Sequence, residues 1–290
     1  MVSARQQSDL SRCEPILSRR HSVGAASARS LLLTVLGEYV LPSDEPMWTA
    51  AAVQIMAGLG VEEKAARQAL ARTAADGWIA PLREGRQVRW KLTGPGRRLL
   101  TDGAERIYSF AAEGPAWDGR WLVLTVTVPE SQRQLRRRLR TRLAWAGFGS
   151  PAPSLWVTTD TGREAEAKQI LASLGLEGAA YSFTGPFGSI GSARTLVDQA
   201  WNLGAVAEHY QEFIVEFAGL RPSPGEETML TQIRLVHEWR RFPFLDPQLP
   251  TDLLPPKWIG KRAAALFQEL HGRWHARAQR HWREVIQPLT

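Results

Sequence analysis

The stretch from Ala65 to Gly96, AARQALARTAADGWIAPLREGRQVRWKLTGPG, constrains the fold of this chain more than any other segment. Its first half has helical periodicity, and Gly77 is a residue type that ends helices. Two short alternating runs, Trp78–Ala80 and Val88–Leu92, flank Glu84-Gly85, which favours a hairpin turn. A helix followed by a two-stranded hairpin is typical of a winged helix, so the sequence predicts that fold here.

The polar side chains of this stretch are mostly cationic. If Ala66, Ala69 and Leu70 pack inward, the Arg and Gln side chains of the helix turn outward. A winged helix lays its third helix in the major groove, where Arg recognises guanine and Gln recognises adenine. The alternative is a solvated face or a winged helix used only for protein contacts. The predicted DNA contacts are Lys64, Arg67, Gln68 and Arg72 on the helix and Arg83, Arg86 and Arg89 in the hairpin.

The periodicity changes along the chain and predicts a multidomain α+β protein. Residues 28–111 form the predicted winged helix-turn-helix domain, and residues 193–287 form a helical C-terminal domain. Between them, residues 119–188 have a βαββαβ order, provided that a short strand lies near Phe148, which predicts a ferredoxin-like domain. Residues 1–27 are rich in Ser, Arg and Gln and are expected to form a flexible arm, either without a role or in contact with DNA phosphates.

The predicted elements of the later domains follow from local patterns. In the middle domain they are strands at 121–128, 155–159 and 179–184 and helices at 130–145 and 163–174. In the C-terminal domain they are helices at 193–217, 226–242 and 260–286. The helix at 130–145 is strongly basic, with Leu135, Leu139 and Leu143 as its buried stripe. Its Arg side chains can face DNA, CoA phosphates, another subunit or solvent.

Composition narrows the partners and the compartment. The net charge of +7 and a pI of about 10.0 favour a polyanionic partner without choosing one. The single cysteine, Cys13, excludes a disulfide framework and a Cys-based zinc site within one chain, which fits a cytoplasmic protein. The sequence has neither a secretory signal nor an apolar run approaching the roughly 20 residues that span a bilayer, so no membrane partner is expected.

Residues with catalytic or metal-binding potential do not assemble into a motif. His271 and His275 share a helix face at i and i+4, but the Glu of a HExxH motif is missing and Arg273 and its basic neighbours would repel a cation. The middle domain also resembles the small ferredoxin-like nucleases of CRISPR adaptation, which bind metal through an Asp at the end of the first strand. The corresponding strand here, Trp121–Val128, has no acidic residue, which argues against nuclease chemistry. The sequence therefore predicts no enzyme activity, no cofactor and no metal. A nuclease or hydrolase and a nonspecific architectural DNA binder are the alternative functions.

Three segments resemble the PaaX family of phenylacetic-acid-degradation repressors, in the order that the family has them. The segment AARQALARTAADGWI is similar to a GntR-type recognition helix, although Ala65-Ala66 and Thr73 depart from that pattern. The middle WLVLTVTVPESQRQLRRRLRTRLAWAGFG resembles the strand and basic helix of the family, and LPTDLLPPKWIGKRAAALFQEL its C-terminal signature. The resemblance covers about residues 28 to 285.

The resemblance implies a cytoplasmic, homodimeric repressor that binds a palindromic double-stranded DNA operator. By the same resemblance, an aryl-acyl-CoA thioester such as phenylacetyl-CoA releases it, as an effector and not a cofactor. Basic residues would hold the CoA phosphates and aromatic residues the aryl group. The candidate effector residues are Arg136, Arg137, Arg140, Trp201, His209, Tyr210, Trp258 and Lys261. For His209, a capped core residue is the alternative.

Overall fold

The computed structural model describes residues 27–110 and 116–287. The chain divides into two compact units that cut across the order of the sequence. The described part of the first unit comprises residues 27–108, 220–239 and 268–287, and that of the second comprises 109–110, 116–219 and 240–267. The predicted arm with Cys13 lies outside the described residues, apart from Ser27.

The described residues form helices and strands with the following bounds. The helices are α1 Ala28–Val35, α2 Thr49–Gly58, α3 Glu63–Ala75, α4 Gly94–Tyr108, α5 Arg133–Trp145, α6 Glu164–Leu174, α7 Ala193–Ala200, α8 Leu203–Phe217, α9 Glu226–Trp239 and α10 Ile259–Val285. The strands are β1 Met47–Trp48, β2 Ile79–Glu84, β3 Gln87–Leu92, β4 Arg120–Val126, β5 Gly149–Ala152, β6 Leu155–Thr158 and β7 Ala180–Pro186. None of the helices described is both long enough and apolar enough to cross a membrane.

The first unit packs α1, α2 and α3 with a three-stranded antiparallel sheet in the order β1-β3-β2. The core of this unit also draws on two helices that come much later in the chain. Met229 and Ile233 of α9 are buried in it, as is Trp282 of α10, whose ring stacks on that of Tyr39 with centroids 5.0 Å apart. The N-terminal elements therefore share one apolar core with C-terminal helices.

The second unit is built on a four-stranded antiparallel sheet in the order β5-β6-β4-β7, with elements in the chain order β4-α5-β5-β6-α6-β7. Strand β4 alternates between two cores, as strand geometry requires. Leu122, Leu124 and Val126 pack with α5 and α6 on one face. On the other face, Trp121 packs with Val197 of α7 and with Leu203, Leu249 and Leu253. Helices thus cover both faces of this sheet.

The structure confirms a mixed α/β protein with a helical C-terminal region, and it finds the expected strand near Phe148 as β5. A π-helical segment, Leu36–Val40, and a short helical turn, Leu41–Ser43, follow α1 directly. One local prediction was wrong. The helix expected over 193–217 is broken before Leu203, where the Asn202 side chain caps α8 by accepting from the Ala205 amide at 3.1 Å.

Candidate nucleic-acid interface

Helix α3 presents one polar face to solvent and one apolar face to the core. Ala66, Ala69 and Leu70 are almost fully buried, as the sequence predicted. The polar face has the spacing i, i+3, i+4 and i+8 of neighbouring helical positions. All four side chains on it that were predicted to contact DNA are exposed: Lys64, Arg67, Gln68 and Arg72.

Thr73 completes the buried face of α3 without weakening it. The side chain is fully buried, and its hydroxyl donates to the Ala69 carbonyl at 2.7 Å. A buried hydroxyl with a hydrogen-bond partner costs little stability compared with an unpartnered one. The departure from the GntR pattern at this position is therefore accommodated inside the helix.

Arg67 forms an ion pair on the exposed face with an acidic neighbour one turn earlier, Glu63. Its Nε donates to Glu63 Oε1 at 2.7 Å, and both side chains are more than half exposed. A solvent-exposed pair of this kind contributes only about 0.3–0.5 kcal/mol. Glu63 therefore orients the Arg67 guanidinium only weakly. A base or a phosphate can take the place of Glu63 as the hydrogen-bond partner of that guanidinium.

The hairpin of β2 and β3 ends in a tight turn that carries cations. Glu84 pairs with Gln87, so the turn consists of Gly85 and Arg86, and Gly85 has a φ of 61°. That left-handed backbone favours glycine. Arg86 at the tip and Arg83 beside it are exposed. The hairpin thus presents two guanidinium groups to solvent.

Arg89 was predicted to belong to the same cationic surface, but the structure engages its guanidinium within the first unit. Its Nε and one terminal nitrogen donate to the Pro46 carbonyl at 3.4 and 3.2 Å, and the other terminal nitrogen pairs with Glu84 at 3.2 Å. The guanidinium carbon also lies 4.9 Å from the centroid of the Trp48 ring. Arg89 is thus positioned to stabilise the hairpin.

Sequence reasoning missed Lys91, an exposed cation on β3. It lies two residues after Arg89, and residues two apart in a strand point to the same face. Because side chains alternate between the two faces of a strand, this rule would have placed Lys91 on the face opposite the core-facing Trp90.

Comparison with known proteins identifies the family of the whole chain. Residues 27–96 match the family model of PaaX-like proteins, residues 114–197 the PaaX central Cas2-like domain and residues 201–284 the PaaX-like C-terminal domain. The chain is 30% identical over 267 residues to the transcriptional repressor PaaX of Escherichia coli strain K12, a match that covers 88% of this chain and 83% of that protein. The chain belongs to the PaaX family.

One solved structure supports the fold of this PaaX-family chain. An uncharacterised protein of Mycobacterium tuberculosis superposes with a TM-score of 0.62, covering 89% of this chain and 99% of that one. The two chains are 21% identical, so the likeness concerns the fold alone.

The basic residues expected to bind the effector remain available at the surface of the PaaX-family chain. Arg136, Arg137 and Arg140 of α5 are exposed, as is Lys261 of α10. Arg136 also donates to the Glu130 carbonyl at 2.7 Å, which folds it back onto the start of its own helix. Arg137 and Arg140 are therefore the better placed of the three to meet a phosphate.

Two aromatic effector candidates, Tyr210 and Trp258, are brought together around a partly buried carboxylate, that of Asp246. The Tyr210 hydroxyl donates to Asp246 Oδ2 at 2.8 Å, and the Tyr210 ring lies edge-on to Trp258, with centroids 6.0 Å apart. Burial raises the pKa of Asp246, although hydrogen bonds from Gln248, Tyr210 and Trp258 oppose the shift. A Cβ atom added at Gly260 would lie 2.5 Å from Trp258 Nε1, so the cluster is tightly packed.

The remaining two candidates are not bonded to Asp246, although Trp201 packs against the same apolar core as Trp258. Trp201 is half-buried and packs closely on β5, where a Cβ atom added at Gly149 would lie 2.5 Å from Trp201 Cε2. His209 is half-buried, and its Nδ1 lies 3.1 Å from Glu212 on the same helix. The structure therefore joins Tyr210 and Trp258 through Asp246 and leaves the role of the other aromatic candidates as a prediction.

The structure places a glutamate beside His271 and His275, the pair for which the sequence predicted no metal. Glu38, from the π-helical segment after α1, has its Oε2 3.3 Å from His271 Nε2. Ligand-capable atoms of Glu38, His271 and His275 all lie within 4.8 Å of one another. The sequence contains no local signal for this cluster, because Glu38 and His271 are 233 residues apart.

Proposed function

We propose that this protein is a transcriptional repressor that binds duplex DNA through the exposed face of α3 and the tip of the β2–β3 hairpin. The observation that carries the proposal is the 30% identity, over most of both chains, to a protein named as a transcriptional repressor. The exposed Arg67, Gln68 and Arg86 supply groups that hydrogen-bond base edges and phosphates. The proposal includes a winged helix-turn-helix fold for the N-terminal elements.

We infer further that the repressor is a homodimer on a palindromic operator. The order β5-β6-β4-β7 with two helices on one face is that of a ferredoxin-like domain. Its edge strand β7 leaves large apolar side chains in solvent, with Tyr181 69% and Phe183 63% exposed. Exposed apolar surface on the edge strand of a sheet favours association with a second chain. A two-fold dimer presents two α3 helices to two half-sites.

The DNA-binding proposal is tested by selecting sequences from a random duplex library with the full chain, followed by footprinting on the enriched site. We expect a two-fold symmetric sequence with half-sites about one helical turn apart, or a multiple of it. Enrichment of no sequence would instead identify a nonspecific architectural binder and overturn the operator proposal. Sedimentation of the protein–DNA complex measures whether two chains occupy each site.

The effector in this proposal is an aryl-acyl-CoA thioester such as phenylacetyl-CoA. Its support is the family resemblance, together with exposed guanidinium groups at Arg137 and Arg140 that suit the CoA phosphates. To release the operator, the thioester must bind the DNA-free conformation more tightly than the DNA-bound one. The proposal therefore requires that saturating thioester weakens operator binding and that operator DNA weakens thioester binding by the same factor.

Isothermal titration calorimetry measures how much the CoA part and the aryl part of the effector each contribute to binding. Phenylacetyl-CoA, free CoA and phenylacetate are each titrated into the full chain. We expect binding of the thioester, weaker binding of CoA through its phosphates and the weakest binding of phenylacetate. Absence of thioester binding would remove the effector from the proposal and leave operator binding untouched.

A further inference from the structure

We propose that Glu38, His271 and His275 bind one divalent transition-metal ion of the Zn²⁺ class. All three residues belong to the first unit, so the site lies inside one compact body. The proposal concerns a site other than the DNA-binding face and does not rest on the proposed function.

The three residues come from two elements that the fold brings together. His271 and His275 are one turn apart on α10, and their ring centroids are 5.1 Å apart. Glu38 lies in the π-helical segment, a kind of helix distortion that is frequent at functional sites. Ligands at about 2.0–2.1 Å from a tetrahedral ion are about 3.4 Å apart. Glu38 and His271 already have that spacing at 3.3 Å, and a ligand atom of the partly exposed His275 lies within 4.8 Å of both.

The second observation is an orphaned acceptor against the cluster. Gln232 of α9 is fully buried, and its Nε2 lies 3.2 Å from Glu38 Oε2 and 3.3 Å from His275 Nδ1. The Oε1 atom of the same amide is buried without a hydrogen-bond partner. A buried acceptor left unsatisfied costs about 1–3 kcal/mol. A water bound to the ion would satisfy it.

The groups around the cluster resemble the outer shell of a metal site. Tyr108 donates its hydroxyl to Glu38, and Gln279 Nε2 donates to the Glu38 backbone carbonyl at 2.8 Å. Outer-shell hydrogen bonds of this kind fix the orientation of ligating carboxylates and imidazoles.

The arginines of α10 do not oppose a cation at this position. Arg273 follows His271 by two residues, which places it about 200° around the helix, and it pairs with Glu269. Arg277 is likewise two residues beyond His275, and it is exposed. The histidine face and the arginine face of α10 are therefore different surfaces.

The ligand set indicates the kind of ion. Imidazole suits Zn²⁺, Cu²⁺, Ni²⁺ and Fe²⁺, whereas Ca²⁺ and Mg²⁺ prefer sites made of oxygen atoms. Two imidazoles and one carboxylate leave at least one position of a tetrahedral ion for water. A bound ion would join the segment after α1 to α10 and thereby stabilise the first unit.

The test uses the untagged full chain, freed of metal with a chelator and then dialysed. Zn²⁺ is titrated against a chromophoric chelator, and we expect one ion per chain. His275→Ala and Glu38→Gln should each weaken binding by about 100-fold or more, and Gln232→Leu by about 10- to 100-fold. The matched control is His281→Ala, on the same helix, whose imidazole lies 3.0 Å from Glu284. It should bind Zn²⁺ as the unmodified chain does.

Co²⁺ provides a readout that a merely structural role would not change. The unmodified chain with Co²⁺ should show the intense visible absorption of a tetrahedral site, and His275→Ala should lose it while keeping its far-ultraviolet circular dichroism. Glu38→Gln retains the size of the side chain and is the second ligand variant. Failure of the unmodified chain to bind Zn²⁺, or equal binding by His275→Ala and His281→Ala, would overturn the proposal. Either result leaves operator binding, measured separately, unaffected.

Discussion

Helices α3 and α5 are both basic and amphipathic, yet they differ in what surrounds their charges. Helix α5 has six arginines, whereas α3 has two arginines and one lysine. Arg136 and Arg142 of α5 are bonded to neighbouring groups of the second unit, the Glu130 carbonyl and the Ser173 hydroxyl. Helix α3 is followed directly by a hairpin with an exposed cationic tip. The comparison teaches that the adjoining hairpin, and not the number of charges, is what distinguishes α3, the helix that we propose to contact DNA, from α5.

The largest expected effect that sharpens this comparison is that of Arg67→Ala. Loss of a guanidinium that hydrogen-bonds a base should weaken operator binding by about 1–3 kcal/mol and leave binding to random DNA nearly unchanged. The measurement is a fluorescence anisotropy titration with both duplexes at one salt concentration. Equal loss on both duplexes would show that Arg67 contacts phosphate and does not read a base.

Arg89→Ala should act on stability, in contrast to Arg86→Ala. Removing Arg89 deletes its hydrogen bonds to Pro46, its ion pair with Glu84 and its contact with Trp48, which together should lower the free energy of unfolding by about 1 kcal/mol.

Arg86→Ala is the matched control in the same hairpin. It should leave urea unfolding unchanged but weaken binding to both duplexes and reduce the salt slope by about 1. If Arg89→Ala instead leaves stability intact and weakens DNA binding, the guanidinium leaves its intramolecular partners when DNA binds.

Glu63→Gln should raise operator affinity, by less than Arg67→Ala lowers it. The change removes a negative charge near the DNA and releases Arg67 from its 2.7 Å ion pair. Because an exposed pair of this kind is weak, we expect operator affinity to rise about two- to fivefold. The rise should shrink as salt increases. A decrease in affinity would mean that Glu63 is needed to orient Arg67.

The smallest expected effect on operator affinity is that of the double change Arg137→Ala and Arg140→Ala on α5. Operator affinity should stay within experimental error, while calorimetry should detect weaker binding of the CoA thioester. A loss of operator affinity comparable with that of Arg67→Ala would break the comparison, because α5 would then also contact DNA.

The sequence predicted those elements whose signals are local. The spacing of Ala66, Ala69 and Leu70 located the buried face of α3, and Leu139 and Leu143 are buried as the stripe of α5 predicted. The break before α8 could also have been predicted from the sequence, since Asn202 is a residue type that caps helices. It was missed because apolar spacing continues on both sides of it.

Local sequence patterns could not predict the long-range contacts. Nothing near His271 indicates that Glu38 will lie 3.3 Å away, because only the packing of the first unit brings the two together. The partners of Arg89 are similarly hidden, since Pro46 and Trp48 meet it only after β1 pairs with β3. The predicted DNA contacts and effector residues remain predictions for the experiments above.

The first unit is assembled from three separate stretches of the chain, and this has a practical consequence for protein engineering. The chain passes between the two units after residues 108, 219, 239 and 267. A fragment cut near residue 110 would lack Met229, Ile233 and Trp282 and would leave their apolar partners uncovered. Transplanting the first unit, which carries the proposed DNA-binding face, onto another regulator therefore requires grafting its late helices as well, and a simple N-terminal fusion should aggregate.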